Sequence, residues 1–407
     1  MQTNLSESAR SMPRAEEADE ILRSCVHCGF CNATCPTYQI LGNELDGPRG
    51  RIYLIKQLLE GEPATAKTQA HLDSCLTCRN CETTCPSGVK YHALLDIGRR
   101  EIESRVERPV RERALRAGLR HVIPRAGVFN AMLKAGRMMR PMLPKSLSEK
   151  IPAERIAAKP RPKARHARKM LMLEGCAQQS LSPNTNAATA RVLDRLGISI
   201  QDAPQAGCCG ATDYHLNAQE AGLARARRNI DAWWPAVESG VEALIQTASG
   251  CGAFVKEYGH LLRGDSAYAV KARRISELTR DLVEVLSAEQ LDSLQMKADQ
   301  RLAFHCPCTL QHAQKLGGAV EGVLQRLGFE LTAVPDAHLC CGSAGTYSFT
   351  QPVLAKQLRD NKLDALESGK PDLIVTANIG CQTHLASAGR TPVRHWIEIV
   401  EEALAES

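Results

Sequence analysis

The sequence predicts a multidomain α+β protein in which a helical, cysteine-rich N-terminal domain precedes two pseudo-symmetric α/β repeats. Three observations support this class. Two similar cysteine runs lie in helical sequence before about residue 105. After about residue 165, apolar strand-like segments alternate with helical ones, which is typical of parallel α/β units. Finally, a Cys-Cys-Gly motif and its surroundings occur twice in this second part, at Cys208 and at Cys340.

The amino-acid composition further limits the class of protein to which this chain can belong. The chain has 407 residues, 43% apolar and 24% charged, which suits roughly two to three domains with hydrophobic cores and excludes disordered and collagen-like chains. No apolar run approaches the ~18 residues that span a bilayer, and the acidic N-terminus lacks the apolar segment of a secretory signal. We therefore expect a cytoplasmic protein whose 17 cysteines serve mainly as metal ligands rather than in disulfides.

The N-terminal cysteines form two runs with the spacing C-x2-C-x2-C-x3-C-P. This spacing is typical of bacterial ferredoxins with two [4Fe–4S] clusters, in which the fourth cysteine of each run ligates the other cluster. The predicted ligand sets are therefore crossed, with Cys25, Cys28, Cys31 and Cys85 on one cluster and Cys75, Cys78, Cys81 and Cys35 on the other. Four-thiolate zinc sites are the alternative, but they usually combine C-x2-C pairs from separate strands.

A basic, proline-rich segment follows. Between Arg99 and Lys169, 21 Lys and Arg residues stand against 6 Asp and Glu residues, a balance of +15, whereas the rest of the chain carries −9. Apolar residues recur there at helical spacing with cations between them, which indicates a basic amphipathic helix with Val128, Met132, Ala135, Met139 and Met142 on one face and Lys134, Arg137 and Arg140 between.

Two interpretations of this helix stay open. Its methionines either pack on their own protein, or the helix docks on a partner subunit or on the anionic inner face of the membrane. No nucleic-acid-binding motif accompanies the charge, so we expect no nucleic-acid partner.

The C-terminal half repeats itself with almost no insertion. The offset between copies is 132 residues for Cys176 and Cys308 and for the Cys-Cys-Gly motifs, and 130 for Cys251 and Cys381. Each copy has an apolar strand before Cys-Cys-Gly, a helical stretch after it, and a buried strand that ends in Gly-Cys. We expect two small α/β domains packed with pseudo-two-fold symmetry, with strands at Met170–Leu173, Leu244–Thr247, Leu302–His305 and Leu373–Thr376.

Each copy offers four cysteines, a ligand count that suits one cluster. The candidate sets are Cys176, Cys208, Cys209 and Cys251 in the first copy, and Cys308, Cys340, Cys341 and Cys381 in the second. They predict one or two further iron–sulfur clusters, with a thiol pair for disulfide exchange as the alternative. Cys306 has no counterpart, and we interpret it as a buried apolar side chain rather than an accessory ligand. We interpret the nearby histidines as hydrogen-bond donors to cluster sulfur or as packed side chains: His27, His215, His305 and His384.

The sequence contains no G-x-G-x-x-G motif opening a βαβ unit, no Walker loop and no H-E-x-x-H motif. We predict no catalytic residues in this chain. A polypeptide with several clusters and no flavin or nicotinamide site is best interpreted as an electron carrier supplied by another polypeptide.

The chain resembles a known family over nearly its whole length, the iron–sulfur subunit of glycolate oxidase (glycolate dehydrogenase). The resemblance lies in short segments around the cysteines and between them: His27–Cys31, Thr34–Tyr38, Gly47–Arg51, Cys78–Cys81, Thr185–Thr189, Ala248–Ala253, His338–Ser343 and Asn378–Thr383. Cys-Cys-Gly repeats also occur in heterodisulfide reductases, anaerobic glycerol-3-phosphate dehydrogenase and lactate-utilisation proteins, but the combination favours the first family.

The resemblance implies a complex with two flavoprotein subunits, whose FAD oxidises glycolate to glyoxylate. This chain would pass the electrons to a membrane quinone from a peripheral position on the cytoplasmic face of the inner membrane. The same family pattern carries the crossed ligand sets onto the eight N-terminal cysteines. Alternatives are a heterodisulfide-reductase-like catalyst, or the iron–sulfur subunit of another 2-hydroxy acid or glycerol-3-phosphate dehydrogenase.

The chain departs from those relatives whose Cys-Cys-Gly domain holds a non-cubane centre. In them the domain ends in C-x2-C, whereas here Phe254 and His384 replace the second cysteine. We therefore expect a conventional cluster or a partly vacant site. The predicted boundaries are a ferredoxin-type domain at 1–105, a basic linker at 106–165, the first repeat at 166–265, a helical linker at 266–300 and the second repeat at 301–407.

Overall fold

The computed structural model describes residues 1–144, 148, 151–152 and 157–404, and the chain divides into two compact units. The first unit combines Met1–Ala117 with His338–Leu358, and the second combines Gly118–Ala337 with Arg359–Ser407. Parts of the predicted linker, 145–147, 149–150 and 153–156, and the end of the second repeat, 405–407, lie outside the described residues. The predicted domain boundaries stay predictions.

The first unit is helical, as the sequence predicts. Its longest helices, Pro48–Glu60 and Tyr91–Arg105, pack against each other and bury Ile55, Leu94 and Leu95 completely. Pro48 opens its helix where no amide donor is needed, and Gly61 closes it with a positive φ of 104°. The other helices are Glu7–Arg10, Ala15–Ser24, Phe30–Ala33, Pro36–Leu41, Ala66–Asp73, Asn80–Thr84, Val110–Val122, which continues into the second unit, and Tyr347–Thr350, with a 3-10 turn at Glu44–Asp46.

The second unit contains two parallel four-stranded sheets. The first has the order β2-β1-β3-β4 and the second the order β6-β5-β7-β8, so the two copies share one topology. The strands are β1 Arg168–Met172, β2 Ile198–Gln201, β3 Leu244–Gln246, β4 Thr279–Asp281, β5 Arg301–His305, β6 Glu330–Leu331, β7 Leu373–Thr376 and β8 Val393–His395. The predicted parallel pairing is therefore confirmed.

Helices connect the strands of the second unit. They are Ala126–Met139, Gln178–Leu181, Asn184–Arg195, Ala211–His215, Gln219–Glu238, Ser249–Lys256, Tyr258–Leu261, Ala269–Leu278, Leu282–Ala288, Ala319–Arg326, Ile379–Ala386 and Trp396–Ala403, with a π turn at Thr309–Ala313, 3-10 turns at Arg140–Met142 and Leu291–Ser293, and Pro352–Glu367 continuing from the first unit. None of the helices in the described part of the chain is long and apolar enough to cross a membrane.

The two copies exchange equivalent helix contacts. Asn184–Arg195 of the first copy packs on Trp396–Ala403 of the second, while Ala319–Arg326 of the second packs on Leu282–Ala288 of the first. Because these pairs are formed by equivalent helices, the packing agrees with the pseudo-two-fold relation expected from the repeat. A single hydrophobic core, which includes the fully buried Trp396, joins the two copies.

Two local features differ from the sequence prediction. The buried strands β3 and β7 end at Gln246 and Thr376, and the Gly-Cys pairs lie in the first turn of the next helix instead of at the strand end. The stretch predicted as a helical linker, 266–300, contains helices, but it also contributes β4, which pairs with β3 and completes the first sheet. Three residues of strand are too short to show an alternating pattern.

Asp281 provides a test of how this unit responds to pH. It is 2% exposed, caps the helix Leu282–Ala288 through Val283 N at 3.2 Å, and accepts a hydrogen bond from Gln314 Nε2 at 3.2 Å. Burial raises the pKa of Asp281 from 3.8 to about 7. Between these values the folded state keeps a proton that the unfolded state has lost, so stability falls as the pH rises through this window.

We predict that Asp281→Asn, which keeps the capping oxygen and the neutral charge, flattens this pH dependence between about pH 4 and pH 7. The measurement is the denaturant midpoint of the full chain at several pH values. The exposed Asp292→Asn is the matched control and should leave the slope unchanged. An unchanged slope in Asp281→Asn would contradict the prediction.

Candidate metal centres

The two N-terminal cysteine loops have the same unusual backbone course. His27 and Gly29 have φ values of 59° and 88°, and Thr77 and Arg79 have values of 54° and 64°. These are the second and fourth residues after Cys25 and Cys75. A left-handed conformation costs a non-glycine residue roughly 1–2 kcal/mol, so the surroundings hold both loops in this course.

The first group of thiols joins the start of the first loop to the end of the second. Cys25, Cys28, Cys31 and Cys85 line one cavity, which Cys81 also touches. Burial, with Cys25 and Cys85 as close neighbours, raises the pKa of Cys31 to about 11. Cys28 is exposed to solvent, so this group lies at the surface of the unit.

The second group is more deeply buried. Cys81 has Cys78, Cys75 and Cys35 as neighbours, and burial first and these thiols next raise its pKa well above 9.0. The structure thus brings together the two crossed groups that the spacing predicts. That these groups ligate iron stays a prediction.

A buried cation accompanies the second group. The side chain of Arg51 is 0% exposed and donates to His71 O at 2.7 Å, to Ser74 Oγ at 2.8 Å and to Thr37 Oγ1 at 3.2 Å. Burial opposes its charge, but the neighbouring Cys75, Tyr91, Cys35 and Asp46 together raise the pKa of Arg51 above its ordinary value. Arg51 therefore supplies positive charge beside the second group.

Two hydrogen-bond donors and one hydroxyl oxygen, which gives its own proton to Asp46 O, lie against the sulfur atoms of this group. Tyr91 Oη lies 3.6 Å from Cys75 Sγ, the Thr77 amide donates to the same sulfur at 3.4 Å, and Thr37 Oγ1 lies 3.3 Å from Cys35 Sγ. No sequence pattern predicts these contacts. The segment Gly47–Arg51, which is part of the family resemblance, was the one available signal for Arg51.

The second Cys-Cys-Gly motif belongs to the first unit. Cys340 and Cys341 are 4% and 1% exposed, and the Gly342 amide donates to Cys340 Sγ at 3.4 Å. The side chain of Asn80 donates to His338 O at 3.2 Å, and Tyr347 Oη donates to Ser74 O at 3.0 Å. These contacts fix the motif beside the second cysteine loop. The pKa of Tyr347 is raised by burial and by the nearby Cys75 and Cys340.

The four cysteines of the first copy lie together in the second unit. Side-chain hydrogen bonds link Cys176 to Cys208, Cys208 to Cys209, and Cys209 to Cys251. The bonds it receives from Cys176 and Cys209 lower the pKa of Cys208, whereas its bond to Cys208 and burial raise that of Cys176. The structure therefore brings together the whole predicted set of the first copy.

The other two cysteines of the second copy, Cys308 and Cys381, lie in the second unit. Cys308 follows β5, and Cys381 is 4% exposed in the helix after β7. His305, the last residue of β5, has a ring nitrogen within 4.8 Å of Cys381 Sγ. Burial, with Lys362 and His384 nearby, lowers the pKa of His305 to about 3. Cys306 belongs to the hydrophobic core, which agrees with its interpretation as a buried apolar side chain.

The aromatic residue at the C-x2-C position of the first copy has a packing role. Phe254 is 2% exposed and contacts the rings of Tyr214, His215 and Tyr258 at centroid distances of 5.3 to 5.8 Å. A cysteine at this position would leave part of the aromatic core unfilled. Phe254 thus accounts for the departure from C-x2-C in this copy.

The glycine after the first cysteine pair is required by close packing. Gly210 has a φ of 101°, and a Cβ atom built there would lie 2.4 Å from Gly222 O. Gly240 has a similar φ of 89° but open space around its Cβ position. A comparison of substitutions at these two glycines therefore distinguishes the cost of a left-handed backbone from the cost of a steric clash at Cβ.

We predict that Gly240→Ala lowers the unfolding free energy by roughly 1–2 kcal/mol through its left-handed backbone alone. Gly210→Ala should lower it further, because the backbone of residues 210 and 222 must also separate. Chemical denaturation of the full chain measures both. Equal effects of the two substitutions would contradict this account of Gly210.

Comparisons with protein families agree with these two kinds of cysteine site. A family model described as a 4Fe-4S dicluster domain matches residues 21–89. A second model, described as a cysteine-rich domain, matches residues 170–256 and 302–386. Each Cys-Cys-Gly copy therefore corresponds to one cysteine-rich domain, and the fold class predicted from the sequence is confirmed.

Two curated relatives match most of the chain. The glycolate oxidase iron-sulfur subunit of Escherichia coli (strain K12) is 72% identical over 404 residues, 99% of this chain and 99% of that protein. The probable glycolate oxidase iron-sulfur subunit of Bacillus subtilis (strain 168) is 31% identical over 393 residues, 88% of this chain and 87% of that protein. Lactate utilization protein A of Geobacillus thermodenitrificans (strain NG80-2) is 33% identical but matches 49% of this chain. With cysteine groups, fold and full-length similarity in agreement, this chain belongs to the family of glycolate oxidase iron–sulfur subunits.

Proposed function

We propose that this chain is the electron-transfer subunit of a complex that oxidises glycolate to glyoxylate. It takes electrons from two FAD-containing partner subunits and delivers them to a membrane quinone, and it has no catalytic residue for glycolate. The observation that carries the proposal is the convergence of eight thiols into two crossed groups of four in the first unit. Full-length similarity to glycolate oxidase subunits supports the substrate.

The thiols present fit two [4Fe–4S] clusters. Cys25, Cys28, Cys31 and Cys85 would hold one, and Cys75, Cys78, Cys81 and Cys35 the other. When bound, such clusters accept and release single electrons. The side chains around the second group favour added negative charge, because Arg51 is a buried cation and Tyr91 and Thr37 contact the sulfurs.

The Cys-Cys-Gly copies would hold further centres. In the first copy side-chain hydrogen bonds join Cys176, Cys208, Cys209 and Cys251 in series, which suits a four-thiolate site. In the second copy, Cys308 and Cys381 are ligand candidates within the second unit. The sequence adds Cys340 and Cys341 to that set, and their membership stays a prediction.

Two exposed apolar side chains flank Cys28 of the first thiol group in the sequence, and we assign this surface to the flavoprotein partner. Val26 and Phe30 are 67% and 62% exposed on either side of the exposed Cys28 in the sequence. Exposed apolar side chains beside a functional group are typical of protein interaction sites. Docking there would bring the electron donor closest to the first group.

A disulfide-reducing enzyme is the rival function. The chemistry of non-cubane relatives uses a fifth cysteine, whereas the first copy places Phe254 in its aromatic core at that position. The second copy places His384 there. These substitutions favour electron transfer over cleavage of a thiol substrate.

The basic amphipathic helix supports a peripheral membrane position. In the helix Ala126–Met139 and the turn that follows it, Met132, Met138, Met139 and Met142 are 50 to 85% exposed, and Lys134 and Arg140 are exposed beside them. Exposed apolar side chains bordered by cations suit the surface of an anionic membrane.

We predict that Cys78→Ala removes about four iron atoms per chain and abolishes glycolate-dependent dye reduction by the complex. The complex is purified anaerobically through a tag on this chain, and iron, sulfide and visible absorption are measured. Cys306→Ala is the matched control, since it removes a buried thiol outside the predicted ligand sets. A wild-type complex that holds zinc instead of iron, or full dye reduction and quinone reduction by Cys78→Ala, would overturn the proposal.

We further predict that the double substitution Lys134→Glu and Arg140→Glu weakens binding to vesicles containing anionic lipid. Each cation near such a surface contributes on the order of 1 kcal/mol, so the reversal of two charges should reduce binding at least about 30-fold. Vesicle sedimentation of the complex measures this. Neutral vesicles and the substitution Asp292→Lys at an exposed position outside this helix are controls, and unchanged binding of the double variant would contradict the membrane role of the helix.

A further inference from the structure

His305 lies at the end of β5, three residues before Cys308. Strands β5 and β7 are adjacent and parallel, and His305 is the register partner of Thr376. The helix that carries Cys381 begins shortly after β7. Because the carboxyl ends of parallel strands meet at one edge, His305 is brought to the thiol of Cys381, with a ring nitrogen within 4.8 Å of its sulfur.

The hydrogen bonds of His305 define its tautomer. Thr376 Oγ1 has one proton, which it donates to His305 O at 3.1 Å. The same oxygen lies 3.0 Å from His305 Nδ1, so it accepts a hydrogen bond from that nitrogen. We therefore assign the ring proton to Nδ1. In a neutral imidazole the other nitrogen, Nε2, then carries a lone pair.

Nε2 has no hydrogen-bond partner in the described part of the chain. Water cannot easily take that place, because His305 is only 2% exposed. A buried acceptor without a partner is destabilising, which is a reason to expect a ligand at this atom. An imidazole whose Nδ1–H is held by a neighbouring oxygen while Nε2 stays open is the arrangement found in metal-bound histidines.

The first copy has no equivalent group. The offset of 132 residues that relates Cys176 to Cys308 relates Leu173 to His305, and Leu173 is a buried core residue. In the first copy four thiols are joined in series by side-chain hydrogen bonds. At the position of His305 the two copies therefore offer different chemistry, a ring nitrogen in the second and an apolar side chain in the first.

We propose that Nε2 of His305 ligates an iron atom of the centre in the second Cys-Cys-Gly copy, beside Cys381. This inference rests on the proposed function, in which that copy holds an iron–sulfur centre. It replaces the interpretation of His305 as a hydrogen-bond donor to sulfur, because the proton is on Nδ1. Exchange of a thiolate for a neutral imidazole raises the potential of an iron–sulfur centre, as in Rieske proteins.

The test uses full-length chain purified anaerobically with all histidines labelled with 15N. Pulsed electron paramagnetic resonance of the reduced protein detects a strong hyperfine coupling when a histidine nitrogen is bound to iron. The coupling should be present in the wild type, lost in His305→Gln and retained in His384→Gln. Thr376→Val, which removes the acceptor of Nδ1–H, should keep the coupling but change its magnitude.

Cys381→Ser and His305→Leu complete the experiment. Cys381→Ser should lower the iron content if the second copy holds a centre, so unchanged iron would overturn that part of the proposed function. Lowered iron in Cys381→Ser with no histidine coupling in the wild type would overturn the present inference alone. Coupling that disappears in His384→Gln but persists in His305→Gln would also overturn it. His305→Leu copies the first repeat, and its circular dichroism and ferredoxin-domain iron count check that the fold is retained.

Discussion

The structure depends on one electrostatic constraint: thiols that are buried side by side do not ionise together without a compensating positive charge. Burial raises the pKa of Cys31 to about 11 and that of Cys81 well above its ordinary value. Thiolates are the form that binds iron, so a bound metal would supply the missing charge and release the protons. Arg51, a permanently charged side chain fully enclosed beside the second group, contributes part of this charge from the protein itself.

The two units bring their thiols together through different backbone arrangements. In the first unit, short loops with left-handed residues at His27, Gly29, Thr77 and Arg79 gather thiols that are close in sequence, and each group is completed by the other loop. In the second unit, parallel strands end at one edge of each sheet and gather thiols from distant segments, such as Cys176 and Cys251. The loops depend on local spacing, whereas the sheets depend on tertiary register.

The groups differ in ways that bear on electron transfer. The first N-terminal group is open at Cys28, while the second is enclosed by Arg51, Tyr91 and Thr37 and lies beside the Cys340 motif in the same unit. Such differences in burial and hydrogen bonding set the potentials of iron–sulfur centres. An exposed thiol group, an enclosed group next to it and the second Cys-Cys-Gly motif thus lie together within one unit.

The sequence by itself determined the features that depend on spacing and repetition: the crossed groups of Cys25 and Cys75, the two copies and their parallel sheets. Each follows from local geometry or from a pattern that recurs at a fixed offset. Only the tertiary structure decided where single side chains meet. The enclosure of Arg51, the role of Phe254 and the open nitrogen of His305 result from packing between segments far apart in the chain. No periodicity encodes such encounters, because they depend on strand register and on which polar atoms burial leaves without a partner.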